Sequence, residues 1–217
     1  MFLILKTDGN TLYATQDLAL PKKKFTDFTV DRSIHVVDIR QALYFKQLFA
    51  VLRLIGFTMP MVHVAYDFVT LKEGAMSSRK GNFITYQDFR DEMMRRVVDE
   101  TQKRHDDWSS EKIRQTAWMI AEGAMKFGML KQDIDRPIVF DMEAALSFDG
   151  FTGPYIQYAY ARTQSVLNKF RIQNSESRIT GQNSKFENEE TSLLRALNRF
   201  PEVVEEAGEK YAPNLLC

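Results

Sequence analysis

The residues best suited to chemistry lie in the run Gly74-Ala75-Met76-Ser77-Ser78-Arg79-Lys80-Gly81-Asn82. Glycine lets a backbone come close to a ligand, and the free N–H groups of such a turn attract an anion. Ser77 and Ser78 can donate hydrogen bonds, while Arg79 and Lys80 bring charge to phosphate oxygens. A solvated basic turn is the plainer alternative, because runs of charge are usually surface. The stretch is not a P-loop, since the chain holds no Gly-x-x-x-x-Gly-Lys-Ser/Thr run.

Two other sets of residues invite a chemical reading. If Tyr13 ends a strand and Asp17 lies in the first turn of the next helix, both sit at the carboxyl end of a sheet, where open α/β folds bind ligands. A carboxylate there accepts two parallel hydrogen bonds from a guanidinium. Alternatively, Asp17 is a helix-start carboxylate favoured by the dipole and Tyr13 is a core ring. Further on, Tyr155, Tyr158, Arg162, Ser165 and Lys169 recur at spacings of three and four, a stripe able to stack unpaired bases and hold phosphates. Ile156, Ala159, Thr163, Val166 and Phe170 form a second face suited to bundle packing. The alternative is that the tyrosines face a bundle interior and Arg162 pairs with an acid.

Met76-Ser77-Ser78-Arg79-Lys80-Gly81-Asn82 resembles the signature loop of class I aminoacyl-tRNA synthetases, in the form used by arginyl-tRNA synthetases. Asp8-Gly9-Asn10-Thr11-Leu12-Tyr13-Ala14-Thr15-Gln16-Asp17-Leu18-Ala19 resembles that family's arginine-pocket strand and helix. Phe148-Asp149-Gly150-Phe151-Thr152-Gly153-Pro154-Tyr155-Ile156-Gln157-Tyr158-Ala159 resembles the opening of its anticodon-binding domain. The resemblance implies an ATP-dependent ligase that charges tRNA with arginine, with Mg2+ accompanying the ATP. It implies that Tyr13, Asp17 and Gln41 hold arginine and that Met76, Ser77, Ser78, Arg79 and Lys80 hold ATP, with Ser77, Ser78 and Lys80 in the catalytic role. It also implies that Tyr155, Tyr158, Arg162 and Lys169 meet tRNA. Four positions depart from the family pattern. Ala75 stands where the first loop lysine is usual, with only the distant Lys72 nearby. Asp67 replaces a glycine near the adenine, Gln16 replaces an arginine, and Tyr44 replaces a histidine.

Positioning these residues requires an α/β layer followed by helices. Residues 2–6 read as a short strand before the Asp8-Gly9 turn, and residues 15–25 as a helix capped by Thr15 and interrupted by Pro21. Residues 33–39 and 62–71 read as strands around a helix at 41–57, with Leu48, Leu52 and Ile55 on one face. This order implies parallel βαβ units. Thr85 with Asp88 predicts a capping box, followed by the stripe Phe89, Met93 and Val97. Ser109 or Ser110 is expected to cap the next helix, with Ile113, Ala117, Ile120, Ala124 and Phe127 inward. A short extended piece at 137–140 and a helix at 154–170 follow, then a polar linker at 173–190 and helices at 191–199 and 201–210. The expected fold is the second half of a Rossmann-like parallel nucleotide-binding domain over residues 1–147, then a truncated helical anticodon-binding bundle over 148–217.

Composition limits the remaining choices. Lys plus Arg equals Asp plus Glu at 29 each, so RNA contact must come from a local patch. One cysteine, Cys217, excludes a disulfide framework and suggests a reducing compartment. The three histidines lack partners at ligand spacing, so no metal site is read. No 18-residue apolar run and no signal peptide occur, which makes the cytoplasm the default, with no membrane partner expected. No His-x-Gly-His is present, although class I enzymes need one in the first half of their sheet. The chain therefore reads as a portion of the ligase, with a separate chain as one possible source of the missing half. A noncatalytic RNA- or partner-binding fragment is the rival. The isolated chain is expected to show no arginine-dependent ATP–pyrophosphate exchange, since a one-sided site loses most transition-state stabilisation. Exchange above a Lys80→Ala control overturns that expectation.

Overall fold

The computed structural model describes residues 2–72, 85–173 and 186–217. The chain divides into two compact units, Met1–Phe68 with Ile134–Pro137, and Val69–Asp133 with Ile138–Cys217.

In the first unit the predicted opening strand is reduced to one antiparallel bridge, Leu5 to Thr11, around a tight turn. Gly9 takes φ +81° there, a conformation that its missing Cβ permits. Helix α1 spans Tyr13–Phe28. Tyr13 is thus its first residue rather than the end of a strand. Thr15 is not the N-cap. It lies three residues inside, and its Oγ1 accepts the Leu12 N–H at 3.3 Å while its hydroxyl donates to the Ile4 carbonyl. Pro21 lies buried within α1 without ending it.

Strand β1 (Ser33–Asp38) pairs in parallel with β2 (Met61–Tyr66), from Ser33 opposite Met61 to Asp38 opposite Tyr66. A 3-10 turn, Ile39–Gln41, leads from β1 into α2 (Ala42–Leu54). Phe45, Leu48 and Leu52 of α2 form the core with Val37, Phe57 and Met61. Phe45 stacks on His63 at 4.4 Å and meets His35 at 5.3 Å. Ile55, expected on the buried face, caps the helix and is exposed. On β1, His35 and Val37 turn toward α2, while Ile34 and Val36 are exposed, Val36 at 64%. One face of the sheet is therefore covered and the other open among the described residues.

The single strand expected at 62–71 is split. Its second part, β3 (Val69–Leu71), belongs to the other unit and pairs in parallel with β4 (Ile138–Phe140). Helix α3 (Tyr86–Arg104) starts with the predicted box, Thr85 and Asp88 each satisfying the other's backbone N–H. Helix α4 (Ser110–Leu130) is capped by Ser109, whose Oγ accepts from Lys112 at 3.3 Å. Phe89, Met93 and Val97 pack with Ala117, Ala121 and Ala124, whose small side chains let the two helices approach closely. Phe140 closes this core edge-on to Phe89 at 4.9 Å. A short helix, α5 (Met142–Ala145), follows, capped by Asp141.

Helix α6 (Gly153–Gln173) begins hard against α4. A Cβ on Gly153 would lie 2.5 Å from the Gly123 carbonyl oxygen, and one on Gly123 would lie 2.5 Å from the Gln157 amide nitrogen. The Gln157 side chain donates to the Met119 carbonyl at 2.8 Å, while its Oε1 is buried without a partner among the described residues. Apart from Gly153, Pro154, Gln157 and Gln164, the described side chains of α6 are exposed, including Ile156, Val166 and Phe170. The expected packing face is thus uncovered among the described residues. The apolar periodicity was real, but it does not specify what lies opposite. Helix α7 spans Asn188–Lys210 without a break at Pro201, replacing the two segments expected. It starts inside the residues expected to form a linker, most of which lie outside the described residues. Its Leu193, Leu197, Phe200 and Val204 form an exposed apolar stripe, and it packs on the 3-10 turn Pro213–Leu216.

Substituting Gly153→Ala places a methyl group against backbone rather than a flexible side chain. The expected outcome is destabilisation by about 1–3 kcal/mol, since overpacking outweighs the gain in helix propensity at a first-turn position. A thermal or denaturant melt that shows equal or greater stability contradicts this close approach.

Candidate functional site

The best-defined polar cluster in the first unit surrounds the start of α1, the end of β1 and the start of α2. Asp17 lies one turn after Tyr13 on the same side of α1, and its Oδ2 accepts a short hydrogen bond from the Tyr44 hydroxyl. Tyr44 is held by Phe2 and Phe45, with each ring centroid 5.7 Å away. Burial first, then the Asp17 carboxylate, pushes the Tyr44 hydroxyl well above its usual range, so it stays protonated. Asp17 is half-buried, and its Oδ1 has no hydrogen-bond partner among the described residues. Gln41 ends the 3-10 turn one helical step before Tyr44 and is exposed. Tyr13 is 85% exposed. The structure therefore joins Asp17 to Tyr44 directly, and it leaves Tyr13 and Gln41 as exposed flanking groups.

His35 borders this cluster from β1. Burial lowers its pKa most, with Lys24 and His63 adding to the effect and Asp17 opposing it. The neutral ring packs against Phe45 and Phe49 at 5.3 and 5.7 Å. His63 bonds the Val37 carbonyl through Nε2 at 3.0 Å; a carbonyl only accepts, so that nitrogen carries the hydrogen. Both histidines serve packing here.

An arginine missed in the sequence reading organises the end of β1. Arg40 grips Asp38 in a two-pronged ion pair, Nε and Nη2 at 2.8 and 2.7 Å, and so holds the Asp38 carboxyl down at about 2. The guanidinium also lies 4.2 Å from the Phe68 ring centroid and is close enough to Asp67 to feel its charge. The Asp67 carboxylate is thus partly balanced by a neighbouring cation. The Asp-x-Arg spacing was the available signal, because a residue two positions beyond a strand end can fold back on its carboxylate. Gln16 is exposed on α1.

The signature loop, with Ala75, Met76, Ser77, Ser78, Arg79 and Lys80, lies outside the described residues. Lys72, the nearest cation before it, is paired with Asp141 at 2.7 Å, a bond that raises its pKa. It is committed to joining β3 to the residue that caps α5. On α6, Tyr155, Tyr158, Arg162 and Lys169 are all exposed. The Arg162 Nη1 donates to the Tyr158 hydroxyl at 3.0 Å, so this cation leans on its own stripe rather than on an acid. Among the described residues, no group of three or more His, Cys, Asp or Glu could hold a metal, and no helix is long and apolar enough to cross a membrane.

Residues 1–142 match the family model for class I tRNA synthetases (R), catalytic domain. The chain belongs to the class I arginyl-tRNA synthetase family. Residues 156–217 match the DALR anticodon binding domain, so the two matched families follow one another along the chain. The arginine–tRNA ligase of Bdellovibrio bacteriovorus is 39% identical over 226 residues, covering 99% of this chain and 37% of the ligase. That of Streptococcus suis is 38% identical over 220 residues, with 99% of this chain and 38% of the ligase covered. Among solved structures, Thermus thermophilus arginyl-tRNA synthetase superposes with a TM-score of 0.84 at 27% identity, over 99% of this chain and 40% of that one. The Plasmodium falciparum arginyl-tRNA synthetase shares the fold at a TM-score of 0.75 and 21% identity, over 96% and 35%. The synthetase chain described here thus spans about 37–38% of the length of its curated relatives. The Rossmann-like half-sheet and helical region expected from the sequence are those of this family.

Because both faces of α6 are exposed, RNA contact and packing can be separated by substitution. Arg162→Ala and Lys169→Ala should each change stability by no more than about 0.5 kcal/mol, and so should Val166→Ala, whose side chain is uncovered. If the stripe meets RNA, the two cation variants should also reduce the log–log salt slope of tRNA binding by roughly one unit or somewhat less each. Melts and salt-titrated binding curves check both outcomes. A salt slope unmoved by either variant removes the stripe from the interface.

Proposed function

We propose that this chain is a portion of an arginine–tRNA ligase that carries the arginine pocket, the ATP loop and part of the tRNA surface. Residues 1–147 supply the catalytic side and residues 148–217 part of the anticodon-binding side. The observation that carries the reading is the half-buried Asp17 carboxylate, held by Tyr44 through one oxygen and open at the other, within the stretch that matches the synthetase catalytic domain. A planar guanidinium is the cation best shaped for such a carboxylate. Tyr13 and Gln41 flank it and complete the pocket.

In the reaction, an arginine carboxylate oxygen attacks the α-phosphorus of ATP and the bond to the β-phosphate oxygen breaks, so pyrophosphate leaves. The tRNA 3′-terminal hydroxyl then attacks the carbonyl carbon of the adenylate, and AMP departs. Lys80 and Arg79, with the hydroxyls of Ser77 and Ser78 beside Met76, stabilise charge spreading over the phosphates. Mg2+ bound to the nucleotide would offset phosphate charge. Tyr155, Tyr158, Arg162 and Lys169 engage unpaired RNA bases and phosphates. The setting is cytoplasmic, with no membrane partner. Alone, the chain lacks turnover, and a polypeptide carrying the His-x-Gly-His half supplies the rest. The exposed stripes of α6 and α7 favour one second reading, a noncatalytic RNA- or partner-binding piece.

In a longer chain joined to a His-x-Gly-His half, Asp17→Ala should weaken arginine binding by about 2–5 kcal/mol and leave ATP binding nearly unchanged, because a bound guanidinium loses its counter-charge. Calorimetric titration with each ligand measures both. An arginine affinity reduced by less than about threefold makes Asp17 a helix-start carboxylate only.

A further inference from the structure

We propose that Tyr44 is the positioning residue of the arginine pocket: its hydroxyl fixes the Asp17 carboxylate through Oδ2 and leaves Oδ1 open to a planar guanidinium. This inference rests on the pocket reading above and adds a specificity element to it. Asp17 and Tyr44 come from different helices, α1 and α2, so their bond fixes a side chain of one helix against the frame of the other.

Tyr44 itself has little freedom. Its ring lies between Phe2, tilted at 5.7 Å, and Phe45, edge-on at 5.7 Å and 84°. Phe45 is buried and stacked on His63 in the neighbouring strand β2. The hydroxyl's place is therefore set by the core of the unit, through Phe45, α2 and the β1–β2 pair. Burial keeps it protonated, so it remains a donor over the working range of pH. Without a partner, an aspartate side chain turns about two torsions, and its carboxylate plane is undefined. With Oδ2 held, one torsional family survives. A carboxylate has about four lone-pair positions, so a single O–H bond leaves room for the two parallel bonds of a guanidinium.

The chemical consequence is selectivity. Two parallel N–H···O bonds require a particular carboxylate plane, whereas an ammonium acts as a point charge and tolerates many. Fixing the plane should favour arginine over lysine beyond what the charge of Asp17 gives. A tyrosine that only packed α1 on α2 would affect both ligands alike.

The test uses the longer chain joined to a His-x-Gly-His half, with NMR-detected titrations of L-arginine and L-lysine on the unaltered protein, Tyr44→Phe and Asp17→Asn. Thermal melts and the three-bond couplings that report the Asp17 χ1 torsion are recorded in parallel. Tyr44→Phe keeps the ring contacts and removes only the hydroxyl. The expected result is a loss of arginine affinity of roughly tenfold, the effect of one hydrogen bond to a charged group. Lysine affinity should stay within about twofold, and the Asp17 couplings should become averaged between rotamers. If Asp17→Asn abolishes the preference for arginine while Tyr44→Phe leaves it intact, the pocket stands and the role of Tyr44 is overturned. Equal losses for both ligands, or a lost cooperative melt in Tyr44→Phe, also overturn it in favour of a packing role. If the unaltered chain shows no preference for arginine, or Asp17→Asn leaves the preference in place, the pocket reading itself fails and takes this inference with it.

Discussion

The second unit depends on the close approach of α4 and α6 at Gly123 and Gly153. With backbone set against backbone at this point, no side chain can be inserted between the helices without moving one of them. Two consequences follow along the chain. Gln157, one turn on, reaches the Met119 carbonyl across the contact and locks the rotation of α6 about its own axis. That rotation then decides how Tyr155, Tyr158, Arg162 and Lys169 are displayed, although none of them takes part in the contact. The display of that face is set by two glycines and Gln157, none of which belongs to it.

The first unit solves a different problem with less material. A parallel pair of strands usually needs cover on both faces. Here α2 covers one face through Phe45, Leu48 and Leu52, and the opposite side shows Ile34 and Val36 to solvent among the described residues. The polar groups gather where β1 ends, because that is where the chain changes from ladder to helix and its carboxylates can be reached. Asp38, Arg40, Gln41 and Tyr44 fall within seven consecutive positions around that change.

Much of this was legible in the residues. The Thr85–Asp88 box and the inward line of Phe89, Met93 and Val97 are local signals, and local signals survive folding unchanged. Misreadings arose where one residue type can serve more than one role. Thr15 looked like a cap because hydroxyls cap helices, yet it bonds back to Leu12 from inside α1. Pro201 suggested a break, because an interior proline removes a donor and crowds the preceding turn, yet α7 continues through it. For α6, periodicity marked an apolar face without identifying its counterpart. Asp17 was singled out by family likeness, whereas its bond to Tyr44 spans 27 positions and no spacing rule could show it. The glycine pair is of the same kind, because close approach is a property of two helices and not of either sequence.

The pairing of β3 with β4 is short, only Val69 to Leu71 against Ile138 to Phe140, yet it ties together residues separated by the whole of α3 and α4. The hydroxyl of Thr70 reaches the Ile138 carbonyl across 68 positions, and Lys72 reaches Asp141 across 69. Closing so long a loop costs chain entropy before three residues of ladder give anything back. Such a contact cannot nucleate the unit. It forms late, after the hairpin of α3 and α4 has brought the two ends near each other, and it opens early under mild denaturant. The strand that leads directly toward the signature loop is thus held to its unit by a short contact that is costly to close.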